Sequence, residues 1–324
     1  MKRKVVLSSV LIDDPTYERK LIEGAGLNLV FVPNSDQERF LKEVVDTDAV
    51  ITADKPITKE IIDSMKNCKV IVRQGIGYDT IDLISSKEKG IAVCNIPDYS
   101  IEEVSDFTLA LMLTILRHTN VYDQHTRKGI WDIQSVHTVS GFPAMRRFST
   151  QTLGIFGFGR IAKLVAKKAR PFGFKIIATD PYVDPKVAED MGVQLVDFDT
   201  VVRESDIMSI NTPLTSETRH QFNIEVFKKM KPTAFIVNTG RGPLIKEDDL
   251  YEALKNKIIA GAAIDVTETE PLPVDNKLFT LDNLIISPHA AFFTSDSLEE
   301  LRRRACEEVI RVLSGQEPEN RVNK

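Results

Sequence analysis

The sequence has little of what secreted proteins use for stability. Of its 324 residues only three are cysteine and one is tryptophan, and acidic residues outnumber basic ones, which gives a formal net charge of -5. Cys68, Cys94 and Cys306 are odd in number, far apart and without a C-x-x-C pair. They therefore indicate neither a disulfide framework nor a metal site. A reducing, cytoplasmic compartment fits this cysteine usage.

The composition also argues against nucleic acid and membranes as partners. Binding to phosphates needs a basic stripe, whereas the one basic cluster, 302–304, lies among glutamates at helical spacing, as on a solvated helix face. The longest strongly apolar stretch, 109–116, is far shorter than the roughly 20 residues that cross a bilayer. The N-terminus resembles a secretion signal, but Asp13 and Asp14 stand where a cleavage site would be, so we interpret it as a first strand.

Short β-rich runs alternate with helical segments twice along the chain. The first series is VVLSSV, NLVFV, DAVIT, VIVRQ and IAVCN, and the second, from residue 152, is LGIFG, KIIATD, QLVDF, IMSIN, AFIVN, GAAIDV and LIISP. Such alternation predicts parallel strands with crossover helices, and the length is enough for two cores. The predicted fold class is α/β, with two doubly wound domains and a cleft between them.

Between the two series, the sequence predicts a helix from about residue 100 to 117 and then a polar, irregular arm to about 149. Ser100 and Glu103 have the spacing of a capping box for this helix. A last helix, 298–313, has one apolar face but no strand of its own to cover, so we expect it to pack on the first domain. The predicted domains are 1–98 plus 295–324, and 99–294.

The stretch LGIFGFGRIA matches a dinucleotide-binding turn. Gly157, Gly159 and Ala162 have the spacing G-x-G-x-x-G/A, after a predicted strand and at the start of a predicted helix whose free amides attract a pyrophosphate. The motif also requires an acidic residue about 20 positions on for the ribose hydroxyls, and Asp180 ends the next strand. Because no arginine follows Asp180 to hold a 2′-phosphate, the sequence predicts NAD rather than NADP as cofactor.

Polar residues at the carboxyl ends of the strands are the candidates for catalysis, since ligands bind there in open α/β sheets. Arg241, between two glycines, has a planar fork that suits a carboxylate, with a surface salt bridge as the alternative. His289 follows LIISP and is a candidate proton donor, with a buried structural histidine as the alternative. Its carboxylate partner is Glu268 or Glu270, which local sequence does not distinguish. Asp265 either faces the nicotinamide amide or caps its own loop.

Ordered motifs over nearly the whole chain resemble those of the D-isomer-specific 2-hydroxyacid dehydrogenases. They are RQGIGYDTID, VCNIPDYSIEEVSDFTLALML, TLGIFGFGRIAK, NTPLTSETRHQF, FIVNTGRGPLIKEDDLYEAL, GAAIDVTETEP and ISPHAAFF. Within the family, the C-terminal part is most similar to the phosphoglycerate-dehydrogenase-like and C-terminal-binding-protein-like branch. The resemblance implies a flavodoxin-like substrate domain and a Rossmann NAD-binding domain.

The resemblance also implies the chemistry, an NAD-dependent interconversion of a 2-oxo acid and a D-2-hydroxy acid. It assigns Arg241 to the substrate carboxylate, His289 to proton exchange with the substrate oxygen, and Glu270 to sustaining the charge of His289. The implied cofactor contacts are Thr108, Gly157, Gly159, Arg160, Ile161, Asp180, Thr212, Thr239 and Asp265. The implied substrate contacts are Arg73, Gly75, Ile76 and Gly77, with Phe292 shaping the pocket where the branch usually has tryptophan.

The expected partners are a small 2-oxo or 2-hydroxy acid and, by the resemblance, a second copy of the chain in a homodimer. No metal is expected. The alternative function is an NAD(H)-sensing, co-repressor-like module, in which the same site controls assembly with little turnover. The complete triad favours the enzyme. No local pattern specifies which acid is the substrate or which direction is physiological.

Overall fold

The computed structural model describes residues 2–131 and 145–324. It divides into two compact units, the first comprising Met1–Tyr99 and Thr294–Lys324 and the second Ser100–Phe293. Each unit is built on one sheet whose paired strands are parallel. The predicted α/β class is confirmed. No helix within the described ranges has the length and apolar character needed to cross a bilayer.

The first unit contains five strands, one for each run of the first series. The strands are β1 (Lys4–Ser8), β2 (Asn28–Phe31), β3 (Ala49–Thr52), β4 (Val70–Arg73) and β5 (Ala92–Cys94), and the helices are α1 (Thr16–Gly24), α2 (Gln37–Glu43), α3 (Lys59–Ser64) and α4 (Leu83–Glu88). The order β2-β1-β3-β4-β5 is that of flavodoxin-like sheets. On one face Val6, Val50 and Ile71 pack against Phe40 and Ile62, and this cluster is the core under α2 and α3.

The second unit contains seven strands, and each run of the second series forms one. The strands are β6 (Thr152–Phe156), β7 (Lys175–Thr179), β8 (Gln194–Leu195), β9 (Ile207–Ile210), β10 (Phe235–Asn238), β11 (Gly261–Ile264) and β12 (Leu284–Ile286). The helices are α5 (Ile101–Arg117), α6 (Thr119–Arg127), α7 (Arg160–Ala169), α8 (Pro185–Asp190), α9 (Phe198–Glu204), α10 (Ile224–Phe227) and α11 (Glu247–Lys255). The order β12-β11-β10-β9-β6-β7-β8 reverses between β9 and β6, where Rossmann sheets bind dinucleotides.

The last helix, α12 (Ser295–Leu313), packs on α1, β3 and β4 of the first unit. It buries Leu301, Ala305 and Val309, spaced by one helical turn. Beside this apolar face, Arg302 donates from Nε and Nη2 to the two carboxylate oxygens of Glu18, with Nη2 2.8 Å from Oε2. The Glu18 side chain is fully buried, so its carboxylate depends on this ion pair between α1 and α12.

Two local expectations are wrong. The start of the predicted irregular arm is the helix α6, whose residues are polar on average and none of which is buried, so the sequence reads there as a polar segment. An ion pair of Asp123 with Arg127, one turn apart, supports it. The Ser100 side chain makes no capping hydrogen bond with α5, because its backbone (φ -134, ψ 26) lacks the extended conformation of an N-cap. Residues 132–144 of the arm lie outside the described residues.

We expect Arg302→Ala to lower the free energy of unfolding of the first unit by about 3 kcal/mol, because it leaves a buried carboxylate without its cation. Urea denaturation followed by circular dichroism measures the change. Arg303→Ala is the matched control, since Arg303 pairs with Glu307 on an exposed face and should contribute less than about 0.5 kcal/mol. Equal, small effects in the two variants would contradict the prediction.

Candidate active site

The turn between β6 and α7 is shaped by two glycines with different surroundings. Gly157 has a φ of 83°, and a Cβ there would lie 2.8 Å from the backbone N and Cα of Thr212. Only glycine lets the turn pack this closely on the chain that leaves β9. A Cβ on Gly159, the residue before α7, would meet no heavy atom within 4 Å. The first turn of α7 is therefore accessible, and its amides suit a phosphate.

Asp180 directly follows β7 and holds the rim of this turn. Its Oδ2 accepts a hydrogen bond from the backbone N–H of Phe158 at 2.7 Å, and its Oδ1 accepts one from Tyr182 N–H at 2.9 Å. The carboxylate is thereby fixed next to the glycine turn, where the motif requires an acceptor for ribose hydroxyls. Arg160 and Ile161 are the first two residues of α7, so they lie beside the same turn.

Thr108 and Thr239 form a buried hydroxyl pair between α5 and the end of β10. Their Oγ1 atoms are 2.8 Å apart, and the Thr108 hydroxyl also lies 2.7 Å from the carbonyl oxygen of Val104. Because a carbonyl only accepts, the single proton of Thr108 goes to Val104, and Thr239 must donate to Thr108. Thr239, which is 9% exposed, is then left with lone pairs for a donor group of a ligand.

His289 and Glu270 are brought together by the loops that follow β12 and β11. His289 Nδ1 lies 2.7 Å from Glu270 Oε2, while Glu270 Oε1 accepts a hydrogen bond from Thr267 N–H at 3.1 Å. Partial burial raises the pKa of the Glu270 carboxyl, but the hydrogen bond and charge of His289, the Thr267 amide and the charge of Arg241 outweigh it. The pKa of Glu270 therefore lies below its usual range, and the carboxylate stays ionised beside the imidazole.

The structure also separates the two glutamates that the local sequence leaves open. Glu268 Oε1 accepts a hydrogen bond from Glu247 N–H at 2.7 Å and lies 3.3 Å from His220 Nε2. Glu268 thus pairs with a different histidine, and Glu270 is the partner of His289.

Asp265 holds the loop that carries His289. Its carboxylate accepts hydrogen bonds from Ala290 N–H at 2.9 Å, Ala291 N–H at 2.8 Å and the Ser287 hydroxyl at 2.6 Å. His289 has a left-handed backbone with a φ of 52°, which is costly for a non-glycine residue and needs such support. The structure thus shows the loop-capping role of Asp265, and its contact with the nicotinamide amide stays a prediction.

Arg241 lies three residues after the end of β10, on a loop that packs against the loop of Glu270 after β11. A Cβ on Gly242 would overlap the carbonyl oxygen of Thr267, so the two loops are packed backbone to backbone. Arg241 Nη1 donates to Gly240 O at 2.9 Å. The carboxyl ends of β10, β11 and β12, which are neighbours in the sheet, thus bring Arg241, Glu270 and His289 to one edge. The ring of Phe292 meets that of His289 edge to face at 6.1 Å.

In the first unit, the predicted substrate residues form one loop at the carboxyl end of β4. Arg73 Nη1 donates to Gln74 O at 2.7 Å, and its guanidinium lies over Gly75, where a Cβ would overlap it. Gly75 also has a φ of 141°, so the backbone conformation requires glycine, and any side chain there would displace the Arg73 guanidinium. The carbonyl of Ile76 accepts from Asn95 Nδ2 at 2.7 Å, which ties the loop that includes Gly77 to the chain after β5.

Sequence reasoning missed the residues that hold the candidate catalytic loops. They are Asn238, Thr267 and Ser287. Only Asn238 had a recognisable signal, because an asparagine directly before a glycine-rich turn is typical of side chain to backbone bonding. No group of three or more His, Cys, Asp or Glu within residues 2–131 and 145–324 is placed to hold a metal ion.

Comparison with known proteins identifies the family. Residues 109–291 match the model of the D-isomer specific 2-hydroxyacid dehydrogenase NAD binding domain. The D-3-phosphoglycerate dehydrogenase of Methanocaldococcus jannaschii is 38% identical over 318 residues, which are 97% of this chain and 59% of that protein. The glyoxylate reductase of Korarchaeum cryptofilum is 34% identical over 287 residues, 88% of this chain and 85% of the relative.

A solved structure agrees with these relatives. D-lactate dehydrogenase from Aquifex aeolicus, complexed with NAD and lactic acid, matches with a TM-score of 0.85 at 29% identity over 96% of each chain. This chain spans only 59% of the length of the first relative, the phosphoglycerate dehydrogenase. The comparisons confirm the predicted family and the predicted cofactor, NAD.

The two glycines of the nucleotide turn should respond differently to substitution. Gly159→Ala should leave the fold intact, because the new Cβ meets no protein atom within 4 Å. It should raise the Kd for NADH about tenfold, because the methyl group would lie where the phosphates bind. Gly157→Ala should destabilise the second unit, because its Cβ meets the Thr212 backbone at a positive φ. Thermal unfolding and NADH fluorescence titration measure both effects. An unchanged NADH affinity in folded Gly159→Ala would contradict the assignment.

Asp265→Asn should lower the free energy of unfolding by about 1–3 kcal/mol. One carboxylate oxygen is replaced by an NH2 group, which cannot accept the hydrogen bond of a backbone N–H. Hydrogen exchange at Ala290 and Ala291 should accelerate with it. The control is Asp197→Asn, since Asp197 accepts from Thr200 N–H as an exposed helix cap, where asparagine serves equally well. Equal changes in both variants would refute a special role for Asp265.

Proposed function

Because this chain belongs to the family of D-isomer-specific 2-hydroxyacid dehydrogenases, we propose that it interconverts a 2-oxo acid and a D-2-hydroxy acid with NAD as hydride carrier. The observation that carries the proposal is the hydrogen-bonded pair of His289 and an ionised Glu270, on the same sheet edge as Arg241. Such a pair can exchange a proton with a substrate oxygen, and a guanidinium beside it suits the carboxylate of the same acid.

The second unit has a site that fits the cofactor. The accessible N-terminus of α7 beyond Gly159 suits the pyrophosphate, and the fixed Asp180 carboxylate suits the ribose hydroxyls while repelling a 2′-phosphate. When bound, NADH supplies the hydride that reduces the substrate carbon. The residues we assign to this site are Thr108, Gly157, Gly159, Arg160, Ile161, Asp180, Thr212, Thr239 and Asp265.

The His289–Glu270 pair determines which nitrogen moves the proton. An ionised carboxylate only accepts, so Nδ1 of His289 keeps its proton toward Glu270 Oε2 whether the ring is charged or neutral. Nε2 is then the nitrogen that donates a proton to the substrate oxygen during reduction and accepts it during oxidation. Glu270 stabilises the imidazolium, and Thr267 N–H holds the other carboxylate oxygen in place.

Arg241 binds and orients the acid in this mechanism. Its planar fork pairs with the substrate carboxylate, and its charge polarises the neighbouring carbonyl for attack. We assign further substrate contacts to Arg73, Gly75, Ile76 and Gly77 of the first unit. We also propose that Phe292, at the edge of the His289 ring, shapes the pocket for the rest of the acid.

We also propose a role for each unit, a compartment and an oligomeric state. The first unit would be the substrate domain and the second the NAD-binding domain, and the enzyme would act in the cytoplasm as a homodimer. The free, buried state of Cys68, Cys94 and Cys306 supports a reducing compartment.

Oxidation of NADH with a panel of 2-oxo acids, including glyoxylate, hydroxypyruvate, pyruvate and phosphorylated acids, tests the function. Turnover of at least one acid is expected. His289→Ala should lower kcat about 100-fold or more, Glu270→Gln about tenfold or more, and Arg241→Lys should raise KM for the acid. Because the pKa of Glu270 is lowered, its contribution should persist at acidic pH where an ordinary glutamate is already protonated, and be lost only as the pH falls through that lowered pKa.

Two controls accompany the panel. NADPH should support much slower turnover because of Asp180, and Glu299→Gln, an exposed change on α12, should leave the rate unchanged. Tight NADH binding without turnover of any acid would contradict the enzyme and favour an NAD(H)-sensing module.

A further inference from the structure

The last residue of β10, Asn238, lies in the middle of the second sheet. It pairs with Ile210 of β9 on one side and Ile264 of β11 on the other, and it is fully buried. A buried carboxamide needs hydrogen-bond partners, and no side chain of these strands provides them. Its partners are instead backbone groups of the turn that leads to Arg241.

The amide nitrogen and the amide oxygen of Asn238 bond to two different backbone groups of this turn. Nδ2 donates to the carbonyl oxygen of Arg241 at 2.9 Å, and Oδ1 accepts from the N–H of Gly240 at 3.0 Å. A carbonyl only accepts and a backbone N–H only donates, so the orientation of the amide is determined. The Arg241 guanidinium donates to the carbonyl of Gly240, which lies between these two points.

The other side of the turn is also held. Leu244 N–H donates to the same Arg241 carbonyl at 3.2 Å, and Gly242 packs against the Thr267 carbonyl. Thr267 N–H in turn holds Glu270. The position of the Arg241 Cα relative to Glu270 therefore depends on the bonds that Asn238 makes.

We propose that Asn238 is a positioning residue for substrate carboxylate binding, acting through the backbone of Arg241. The proposal rests on the function proposed above. The turn needs asparagine at position 238, because a short, planar side chain must donate to the Arg241 carbonyl and accept from the Gly240 N–H. A misplacement of about 1 Å in a binding residue can cost about 100-fold in rate.

An aspartate at position 238 tests this directly, since it has the same shape but replaces the donor with a second acceptor. At higher pH, its carboxylate would face the Arg241 carbonyl and weaken the turn. When protonated, the introduced carboxyl can donate to that carbonyl and restore the bond. The activity lost in Asn238→Asp should therefore return as the pH falls.

The charged groups around the position favour a protonated carboxyl, with one exception. Glu247 and Glu268 line the same small cavity as Asn238, and Asp265 N–H donates to the Asn238 carbonyl. His220 faces Glu268 rather than Asn238. The exception is Arg241, whose charge favours the ionised form. Asp265 touches Asn238 only through the backbone, since its carboxylate accepts from Ala290 and Ala291. Two glutamates and burial therefore oppose one cation, so protonation should occur above the usual range of an aspartate.

The experiment compares wild type, Asn238→Asp and a control in kcat, KM, the Kd of NADH and the Kd of oxamate, a carboxylate analogue, with NADH present. Asn283→Asp is the control, because Asn283 Nδ2 also donates to backbone carbonyls, of Leu254 and Ala260, in the same unit. At about pH 8, Asn238→Asp should lower kcat/KM about 10- to 100-fold, mainly through KM, and weaken oxamate binding similarly. Its Kd for NADH should stay within about threefold. The ratio of kcat/KM in Asn238→Asp to kcat/KM in wild type should rise several-fold when the pH is lowered to about 6.

Asn238→Ser is the second variant in case Asn238→Asp does not fold. The serine hydroxyl can bond to the Arg241 carbonyl or to the Gly240 N–H, but not to both. We therefore expect a smaller loss of oxamate affinity than in Asn238→Asp, and no recovery of affinity at lower pH. An unchanged oxamate affinity, an equal loss of NADH affinity, or the same loss in Asn283→Asp would overturn the inference. If wild type turns over an acid and Arg241→Lys impairs it while the Asn238 variants do not, only this inference fails. If wild type turns over no acid, the proposed function fails first.

Discussion

Where a parallel strand ends inside the second unit, its last backbone groups still need hydrogen-bond partners. At the end of β10 and just past the end of β11, the buried side chains Asn238 and Asp265 provide such partners for neighbouring loops. Asn238 bonds to the backbone of the turn after β10, and Asp265 bonds to the backbone of the loop after β12. The same bonds give those loops defined shapes. Arg241 and His289 stand on these two loops, so the placement of both residues depends on two polar side chains in the core beneath them.

The nucleotide side of the unit depends on a steric constraint instead. Gly157 approaches the Thr212 backbone so closely that no side chain fits, and this contact joins the turn after β6 to the chain after β9. These two strands are adjacent at the point where the strand order reverses. The accessible first turn of α7 and the fixed Asp180 carboxylate lie at the same place, so the fold itself prepares a site for a dinucleotide.

Carboxylates have three different physical roles in this chain. Glu18 is fully buried and neutralised by Arg302, which joins α12 to α1. Asp265 is buried and satisfied by backbone amides. Glu270 is partly exposed, ionised and paired with a group that can change its charge. Only the last arrangement leaves a proton that can move, and this distinguishes a candidate catalytic pair from structural ones.

The sequence by itself determined the strands, the glycine turn with Asp180 and the positions of Arg241 and His289, because these depend on residue type and short-range spacing. It missed α6, which is polar on average and buries no residue, and the conformation of Ser100. Without the family resemblance it did not choose between Glu268 and Glu270, which are two residues apart. The tertiary structure showed that choice directly, because His289 and His220 come from other loops that only folding brings within hydrogen-bond distance of the two glutamates. It also decided the bonds of Asp265, whose partners lie on the loop after β12, and those of Asn238, which depend on the shape of the turn after β10.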